Sequence, residues 1–477
     1  MPAKNFIVAI ELGSTKITGV AGSKNPDGSF TVNAVAKEDA TACIRKGVVY
    51  NSDKTIQCIN NIINRLQKAM KTEIAQVYVG VGGQSIYSDC NTINKEMPDA
   101  TQVTQDTVVE LMDKNRAMQY KDMEILDVVT QEYKVDSQYQ LEPVGIECKH
   151  LEGNFLNILQ SRKHYHSLNN CFDKAGVAIA EMYLAPFALA DGVLTDAEKR
   201  SGCMLVDLGA ETTTVLVYHK NLLRHMAVIP LGSNNITKDI TTLQLEDSDA
   251  EVLKLRYASA YTDFSDIDST MMYSIDKDRQ IESRRFIEIV EARVQEIVQN
   301  VWNQVPMELA SKLVGGIILT GGGSNMRNIT TAFRNHTHIE KIRIAQSVNY
   351  IIHSSNADAT AKNGQMNTVL GLLAKGEINC AGNEIIEQKD IFVQEEKPAL
   401  FPDQAKEGQQ GTGRVPTAEE KAKAEEEARK KAEEEAAEQA RIEQEERERL
   451  EAERKKAPGL ATKISKWLAD IFRAEEE

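Results

Sequence analysis

The sequence predicts an α/β fold made of two duplicated halves, each a mixed sheet with helices packed against it. In the first half, three runs of β-forming residues precede a helical pattern and a fourth strand, at residues 6–11, 16–22, 30–36, 56–66 and 77–81. The same order recurs at residues 204–208, 213–218, 222–228, 285–305 and 313–320. The halves share little sequence, so two unrelated α/β domains remain the alternative.

Composition narrows the class of protein. A chain of 477 residues with 42% hydrophobic residues suggests two or three globular domains. A net charge of -15 argues against nucleic acid as a partner, because binding phosphate backbones needs a concentrated positive surface. The seven cysteines form no CxxC pair, which favours free thiols in a reducing compartment. No run of apolar residues is long enough to span a bilayer, so we expect a soluble cytoplasmic body.

Each half is interrupted by an inserted segment. We assign the first half to residues 1–83 and 163–201 with an insertion at 84–162, and the second to residues 202–235 and 313–378 with an insertion at 236–312. Residues 379–457 are predicted to be a charged linker, and residues 458–477 a terminal amphipathic helix. Residues 417–456 carry no regular apolar stripe, so this stretch is either a partly helical rod or a disordered spacer.

Three glycine-bearing turns follow strands, where a phosphate chain could bind. They are Glu11-Leu12-Gly13-Ser14-Thr15-Lys16, Asp207-Leu208-Gly209-Ala210-Glu211-Thr212-Thr213 and Thr320-Gly321-Gly322-Gly323-Ser324. Glycine lets backbone N–H groups approach phosphate oxygens, and hydroxyl groups add donors. The carboxylates of Glu11 and Asp207, each at the end of a strand, suit a hydrated Mg²⁺ ion. A single turn of this kind is usually only a turn, but three in this order favour one nucleotide site.

These turns resemble the phosphate and adenosine motifs of the actin/Hsp70/sugar-kinase superfamily, and Glu251-Val252-Leu253-Lys254 is similar to its E-x-x-K motif. Without the other motifs, that segment would be interpreted as a surface i,i+3 pair. Within the superfamily the chain resembles the FtsA family over roughly residues 5–375, most clearly at 193–199, 231–240 and 368–372. The resemblance implies an actin-like ATPase fold that binds ATP and Mg²⁺. It places the nucleotide on Gly13, Ser14, Thr15, Lys16, Asp207, Gly209, Thr212, Thr213, Glu251, Lys254, Gly321, Gly322, Gly323 and Ser324, and the metal beside Glu11 and Asp207.

The chain departs from the family pattern at several positions. Glu11 stands where Asp is usual, Ala210 and Glu211 replace glycines, and Thr214 replaces Asp. Ala185 stands where relatives that hydrolyse ATP readily often carry Glu, and loss of a positioned base costs a factor of about 10² to 10⁴. We therefore expect ATP to be bound more readily than it is hydrolysed.

The resemblance also implies roles for the insertions. Residues 84–162 correspond to subdomain 1C, used for filament assembly, and residues 236–312 to subdomain 2B, which receives the C-terminal tail of the tubulin-like FtsZ. Arg284, Arg285 and Arg293 on a predicted helix would favour such an acidic peptide. An ordinary solvated helix face with intrahelical Glu–Arg pairs explains the same residues equally well.

The terminal segment has one apolar helical face. Its offsets place six large side chains on that face, Leu460, Ile464, Trp467, Leu468, Ile471 and Phe472. A long polar stretch separates this face from the body, so we expect it to bind a membrane surface rather than its own domain or a partner protein.

Together these features predict a cell division scaffold. It would form actin-like filaments, tether FtsZ to the cytoplasmic face of the membrane at the septum as a peripheral protein, and help to recruit later divisome proteins. The alternatives are a sugar kinase, an Hsp70-like ATPase or a PilM-like ATPase of the same fold. The sequence offers no obvious catalytic Asp for a kinase, and no β-rich peptide-binding domain follows residue 375.

Overall fold

The computed structural model describes residues 5–268, 270–276, 279–382, 411–418, 420–424, 426 and 429–430. The chain divides into two units, residues 1–395 with 403–417, and residues 396–402 with 418–477. In the second unit the described residues lie between 418 and 430 and are helical.

The first half and its insertion contain eleven strands and five helices. The first half begins with β1 (Ile7–Leu12), β2 (Lys16–Lys24), β3 (Phe30–Asp39), β4 (Ile44–Arg45), β5 (Val48–Val49), α1 (Ser52–Met70) and β6 (Gln76–Val81). The insertion contains β7 (Tyr87–Gln102), α2 (Gln105–Arg116), β8 (Met123–Val135), β9 (Gln138–Gln140) and β10 (Glu147–Ser161). The first half then resumes with α3 (Arg162–Ala175), β11 (Ala178–Leu184), α4 (Ala185–Val193) and α5 (Asp196–Ser201).

The second half follows the same plan. It contains β12 (Cys203–Leu208), β13 (Thr213–His219), β14 (Leu222–Ile229), α6 (Ser233–Ile240), α7 (Asp247–Tyr257), β15 (Met272–Ser274), β16 (Gln280–Glu282), α8 (Ser283–Trp302), α9 (Met307–Ala310) and β17 (Gly316–Thr320). The remaining elements are α10 (Ile329–Thr337), β18 (Ile342–Ile344), β19 (Ile352–Ser354), α11 (Ala357–Thr360), α12 (Asn367–Lys375) and β20 (Arg414–Val415). The predicted strands and helices of both halves are confirmed; the strand predicted from residue 313 begins at Gly316.

The strand order confirms the duplication. One sheet runs β19-β3-β2-β1-β6-β11-β20, and the other runs β18-β17-β12-β13-β14-β7-β10-β8-β9. The order β3-β2-β1-β6-β11 in the first matches β14-β13-β12-β17-β18 in the second. The directions match too, because β1 is antiparallel to β2 and parallel to β6, while β12 is antiparallel to β13 and parallel to β17. Two unrelated domains would not share this order and these directions.

Helix α1 packs against the first sheet through its apolar face. Ile59, Ile62 and Leu66 on this face are fully buried. Gly19 of β2 permits the close approach, since a Cβ there would lie 2.4 Å from Ile62 Cγ2. The Asn51 side chain caps the helix by accepting a hydrogen bond from Lys54 N at 3.1 Å.

The first inserted segment is joined to both halves. Its chain enters from β6 and leaves into α3, both in the first half. Its strand β7 nevertheless pairs with β14 of the second half at Ala227 and Tyr87. Side chains strengthen this junction: Met226 N donates to Ser88 Oγ at 2.8 Å, and Gln131 Nε2 donates to Leu223 O at 2.9 Å. The second sheet is therefore continuous with the insertion.

The second inserted segment is a helical layer on the second sheet. Helix α8 buries Phe286, Val290, Val294 and Val298 in the core of this half. Among the described residues, no helix is both long and apolar enough to cross a membrane.

Part of the predicted linker belongs to the first unit. Cys380 is fully buried, its N–H donates to Phe6 O at 2.8 Å, and its thiol accepts from Val8 N at 3.2 Å. Residues 411–417 also lie in this unit, where β20 pairs with β11. The placement of all residues from 379 to 457 in a linker is therefore wrong for these two stretches. The packed body extends to 382, and a short strand returns to it.

The cysteines carry free thiols at all seven positions, as the sequence analysis expects. All seven cysteines are unpaired, and five of them are buried. Cys58 is half-buried and Cys90 is exposed.

Candidate nucleotide site

The first two glycine turns have the same backbone geometry. In the first, Gly13 N donates to Lys16 O at 3.0 Å; in the second, Gly209 N donates to Thr212 O at 2.9 Å. A Cβ on either glycine would lie 2.8 or 2.7 Å from the carbonyl oxygen that closes its turn. The two turns therefore require a residue without a side chain at the same place.

The two acidic strand ends face each other. The pKa of Glu11 is raised to about 8, chiefly by burial and in addition by the neighbouring Asp207 carboxylate, while a hydrogen bond from Thr368 opposes the rise. Burial also raises the pKa of Asp207, to about 6. At neutral pH Asp207 is thus mainly ionised and Glu11 mainly protonated. A cation bound between them would favour the ionised form of both.

Two oxygen atoms of the first turn accept hydrogen bonds from the segment that follows β3. Ser14 is buried, and its Oγ accepts a hydrogen bond from Gly47 N at 2.9 Å. Thr15 O accepts from Ala40 N at 3.0 Å, and the Lys16 side chain is exposed. The loop that follows β3 therefore lies directly against the first turn.

The second turn is attached to the start of α6. Ser233 N donates to Gly209 O at 3.0 Å and Asn234 N donates to Ala210 O at 2.7 Å. Thr213 is fully buried and its Oγ1 donates to Leu231 O at 2.9 Å, while Thr212 remains half-buried. The position of this turn is thus fixed by the helix behind it.

The third turn lies beside the second acidic strand end. Gly321 has φ +81°, and a Cβ there would lie 2.2 Å from Asp207 Oδ1. A Cβ on Gly323 would lie 3.0 Å from Leu208 Cβ, whereas a Cβ on Gly322 would make only an ordinary contact with Gln365, 3.7 Å from its Nε2. Ser324 is buried and donates from Oγ to Gly321 O at 2.7 Å, so its hydroxyl stabilises the turn.

Glu251 and Lys254 do not form a simple surface pair. Lys254 is buried, and its Nζ lies 2.6 Å from Glu251 Oε2. The same Nζ donates to Thr237 Oγ1 at 2.8 Å and to Ser233 O at 3.1 Å. The motif therefore joins α7 to the first turns of α6, the helix that begins at the second glycine turn.

Two groups at this site were missed by sequence reasoning. Glu211 Oε2 accepts a hydrogen bond from Lys46 N at 2.7 Å and so connects the two halves across the site. Thr368 binds Glu11 from α12, the helix that packs against both β1 and α4. Glu211 was noted only as a replacement for glycine, and Thr368 only as part of a family resemblance. Neither carried a local signal for its partner, since each partner is far away in sequence.

A cavity of about 490 Å³ lies next to this arrangement and contains none of the predicted site residues. Val48, Gln84, Lys163, His164 and Pro230 are among its lining residues. It adjoins the site because Val48 follows Gly47, which binds Ser14. Among the described residues, no group of three or more His, Cys, Asp or Glu side chains could hold a metal ion. A magnesium site would therefore rest on Glu11, Asp207, phosphate oxygens and water.

The predicted cationic face is mostly engaged within the protein. Arg293 lies 2.5 Å from Asp239 Oδ2 through Nε and also contacts Glu296. Arg284 pairs with Glu288 at 3.0 Å, one turn along α8. Arg285 is exposed. The Arg284–Glu288 and Arg293–Glu296 pairs are intrahelical, as in the ordinary helix-face interpretation, whereas the Arg293–Asp239 pair joins α8 to α6. The six predicted membrane residues between 460 and 472 lie outside the described residues.

Comparison with known proteins identifies the family. The family model for cell division protein FtsA matches residues 204–371, and that for the SHS2 domain inserted in FtsA matches residues 83–159. Cell division protein FtsA of Porphyromonas gingivalis is 32% identical over 342 residues, which is 70% of this chain and 71% of that protein. FtsA of Escherichia coli K12 is 25% identical over 403 residues, 81% of this chain and 94% of that protein.

Solved structures define the fold class. A PilM–PilN type IV pilus biogenesis complex superposes with a TM-score of 0.55 at 15% identity, covering 77% of this chain and 97% of that one. The two matched sheets, with glycine turns and acidic strand ends between them, make this an actin-like ATPase fold. Within that class, the chain belongs to the FtsA family of cell division proteins.

Proposed function

We propose that the protein is an ATP-binding scaffold that forms actin-like filaments and tethers FtsZ to the cytoplasmic face of the membrane at the division septum. Its membership of the FtsA family supports a role in cell division. The observation that carries the nucleotide part is the convergence of Glu11, Asp207 and Gly321 between the two halves. Later divisome proteins would be recruited to the tethered filament.

The nucleotide acts as a ligand that joins the halves. The phosphate chain would lie between the turns at Gly13 and Gly209, with Thr15, Lys16, Thr212 and the backbone N–H groups as donors. Glu11 and Asp207 would hold a Mg²⁺ ion, which would neutralise phosphate charge. The base and ribose would lie between Gly322 and the helix that carries Glu251.

Hydrolysis is expected to be slow. Ala185 stands at the first position of α4, with Pro186 behind it, and its methyl group has no means of orienting a water molecule. Without a positioned group, in-line attack on the terminal phosphate loses rate. ATP would thus act mainly as a switch for assembly.

Membrane attachment rests on the residues between 460 and 472. Six large side chains burying about 100 Å² each give an upper bound of roughly 15 kcal/mol at about 25 cal/mol per Å². Ordering the helix costs about 1 kcal/mol per residue, so one copy binds loosely. A filament with one such helix per subunit binds much more firmly, through effective concentration.

Vesicle sedimentation tests the proposal. Full-length protein should sediment with vesicles containing anionic lipid, more strongly with ATP than without it. The protein lacking residues 459–477 should remain in the supernatant. Equal sedimentation of the two proteins would overturn membrane attachment through the terminal segment. Sedimentation that is the same with and without ATP would overturn the link between nucleotide and assembly.

An FtsZ tail peptide tests the partner assignment. Arg285 is exposed, whereas Arg293 is bound to Asp239, so Arg285→Glu is the cleaner substitution. It should weaken peptide binding, with Arg334→Glu on α10 as a matched control. Unchanged affinity in Arg285→Glu would overturn a role for this face of α8.

A further inference from the structure

The edge of the first sheet at β11 is covered by a strand from the chain's own tail. Val415 pairs with Met182 and Arg414 with Tyr183, in antiparallel orientation. Leu184 N donates to Gly413 O at 2.6 Å. Strand β11 would otherwise be the sheet's edge, with backbone groups open to further pairing.

Residues 411–416, Gly-Thr-Gly-Arg-Val-Pro, fit this edge because two positions lack side chains. Gly413 has φ +72°, and a Cβ there would lie 2.7 Å from Phe187 Cβ. A Cβ on Gly411 would lie 2.6 Å from Val129 Cγ2 and 2.8 Å from Asp127 Oδ2. The surrounding tail is rich in Glu, Ala, Lys and Arg, so this short stretch is unusual within it.

Polar and apolar anchors hold the strand at both ends. Gly413 N donates to the buried Asp127 Oδ2 at 2.8 Å, and Tyr165 Oη donates to Pro416 O. Val415 is fully buried in the core of the first half, and Arg414 Nε lies 3.3 Å from Glu181 Oε1 on the other face. The strand thus contacts β11, α3, α4 and, through Asp127, strand β8 of the first insertion.

We propose that β11, Phe187 and Asp127 form a docking groove for a Gly-x-Gly-x-Val strand, and that residues 411–416 of the same molecule occupy it. Recognition follows strand addition: backbone hydrogen bonds supply affinity, while the glycines and Val415 supply selectivity. Asp127 lies on the insertion and Leu184 on the first half, so the docked strand clasps the two together.

The docked strand of residues 411–416, which we call the clasp, also fixes where the distal tail begins. This consequence rests on the proposed function, since it concerns the tether. A tether that starts at residue 418 has about 40 residues before the apolar segment at 458. This stretch would reach about 35 Å as a flexible coil and about 60 Å as a helix. The distal tail would therefore begin at residue 418, directly after the docked strand in the sequence.

Hydrogen exchange on the full-length chain tests the clasp. In the wild-type protein, the amides of residues 182–184 and 413–415 should exchange slowly. Gly413→Val places a side chain against Phe187, and Val415→Asp places a charge in the core. Each should speed exchange at residues 182–184 by at least about tenfold. Both substitutions lie in the tail, so they release the strand without removing any other part of the body's core.

Gly28→Val is the matched control. Gly28 has φ +82°, positive like that of Gly413, but it lies in the turn between β2 and β3, and a Cβ there meets nothing within 4 Å. It should leave exchange at residues 182–184 unchanged. Fast exchange at 413–415 in the wild type, or equal exchange in wild type and Gly413→Val, would overturn the proposal. Protection that rises with protein concentration would show that a second copy supplies the strand, which also overturns it.

Vesicle sedimentation of the same variants separates this proposal from the proposed function. Gly413→Val should still bind vesicles, because the apolar segment between 460 and 472 is unchanged. In one outcome, hydrogen exchange changes as expected while deletion of residues 459–477 leaves sedimentation unaltered. That pair of results would support the clasp and refute membrane attachment through residues 460–472. The opposite pair of results would refute the clasp alone.

Discussion

The two glycine turns share a backbone but differ in their side chains. Each follows a strand that ends in a carboxylate, and each closes with a hydrogen bond of 2.9–3.0 Å from its first glycine. The first turn contains Ser14, which binds Gly47 within its own half. The second contains Glu211, which reaches across to Lys46. The two turns thus share their backbone geometry, while their side chains make different contacts.

The carboxylates show the same divergence. Glu11 has its pKa raised to about 8 and Asp207 to about 6, in both cases chiefly by burial. The longer side chain of Glu11 also receives a hydrogen bond from Thr368. Burial therefore raises the pKa of both carboxyl groups, and it does so more strongly for Glu11.

ATP affinity should show the largest difference between the two carboxylates. Asp207→Ala should weaken ATP binding in the presence of Mg²⁺ by about 100-fold, and Glu11→Ala by about 10-fold, because only Asp207 is mainly ionised at pH 7. Isothermal calorimetry measures both. Asp358→Ala, an exposed acid paired with Lys37, is the control and should bind normally. Equal losses of ATP affinity in the two variants would contradict this difference in ionisation.

The pH dependence of stability should show the second-largest difference between Glu11 and Asp207. Unfolded Glu11 loses its proton near pH 4.5, whereas the folded protein holds it to about pH 8. Glu11 therefore lowers the free energy of unfolding as the pH rises through that window. Glu11→Gln should remove this loss and stabilise the nucleotide-free protein by about 2 kcal/mol at pH 8.5, with little effect at pH 4.5.

Asp207→Asn provides the comparison for that measurement. For Asp207 the pH range between the unfolded and the folded pKa is narrower, from 3.8 to about 6. The gain in stability from Asp207→Asn should therefore be smaller. Urea titrations at several pH values give both curves. If Glu11→Gln destabilised the protein at high pH, the raised pKa of Glu11 would be refuted.

The shared backbone of the turns can be tested directly. Gly13→Ala and Gly209→Ala each place a methyl group too close to a carbonyl oxygen. Each should lower the free energy of unfolding by about 1.5 kcal/mol, with similar values for the two. Gly82→Ala, where a Cβ would lie 3.8 Å from its nearest neighbour, should change little. A large difference between the two turns would mean that their closing geometry is not equivalent.

The smallest effect should come from the contact between the halves. Glu211→Ala removes the acceptor for Lys46 N and should speed release of a fluorescent ATP analogue by about fivefold, since a hydrogen bond to a charged group near solvent contributes about 1 kcal/mol. Glu211→Gln keeps an acceptor oxygen and should stay within about twofold. Stopped-flow fluorescence distinguishes these outcomes. Wild-type release rates in Glu211→Ala would show that the contact does not hold the nucleotide.

Local patterns predicted much of this architecture. The alternation of apolar residues located β1, β2, β12 and β13, and the glycines between them located the turns. The three turns were expected to form one site, and the structure places Glu11 beside Asp207. Each of these inferences needed only neighbouring residues or the repeat itself.

Contacts between distant residues could not be predicted in this way. Arg293 looked like a free cation on α8, but its partner Asp239 lies on α6 and is brought close only by packing. Residues 411–416 looked like linker, because Gly-Thr-Gly-Arg is typical of a loop when no strand edge is available. Both depend on surfaces that exist only after the body has folded.

The continuous second sheet has a mechanical consequence. The first insertion is connected by chain to one half and by the β7–β14 pairing to the other. Rotation between the halves must therefore strain that pairing or move the insertion as a lever. Strand β10, with 15 residues, spans about 50 Å, so a turn of about 10° would displace its far end by about 8 Å. A small change around a bound phosphate would then become a large one at the outer tip of the insertion.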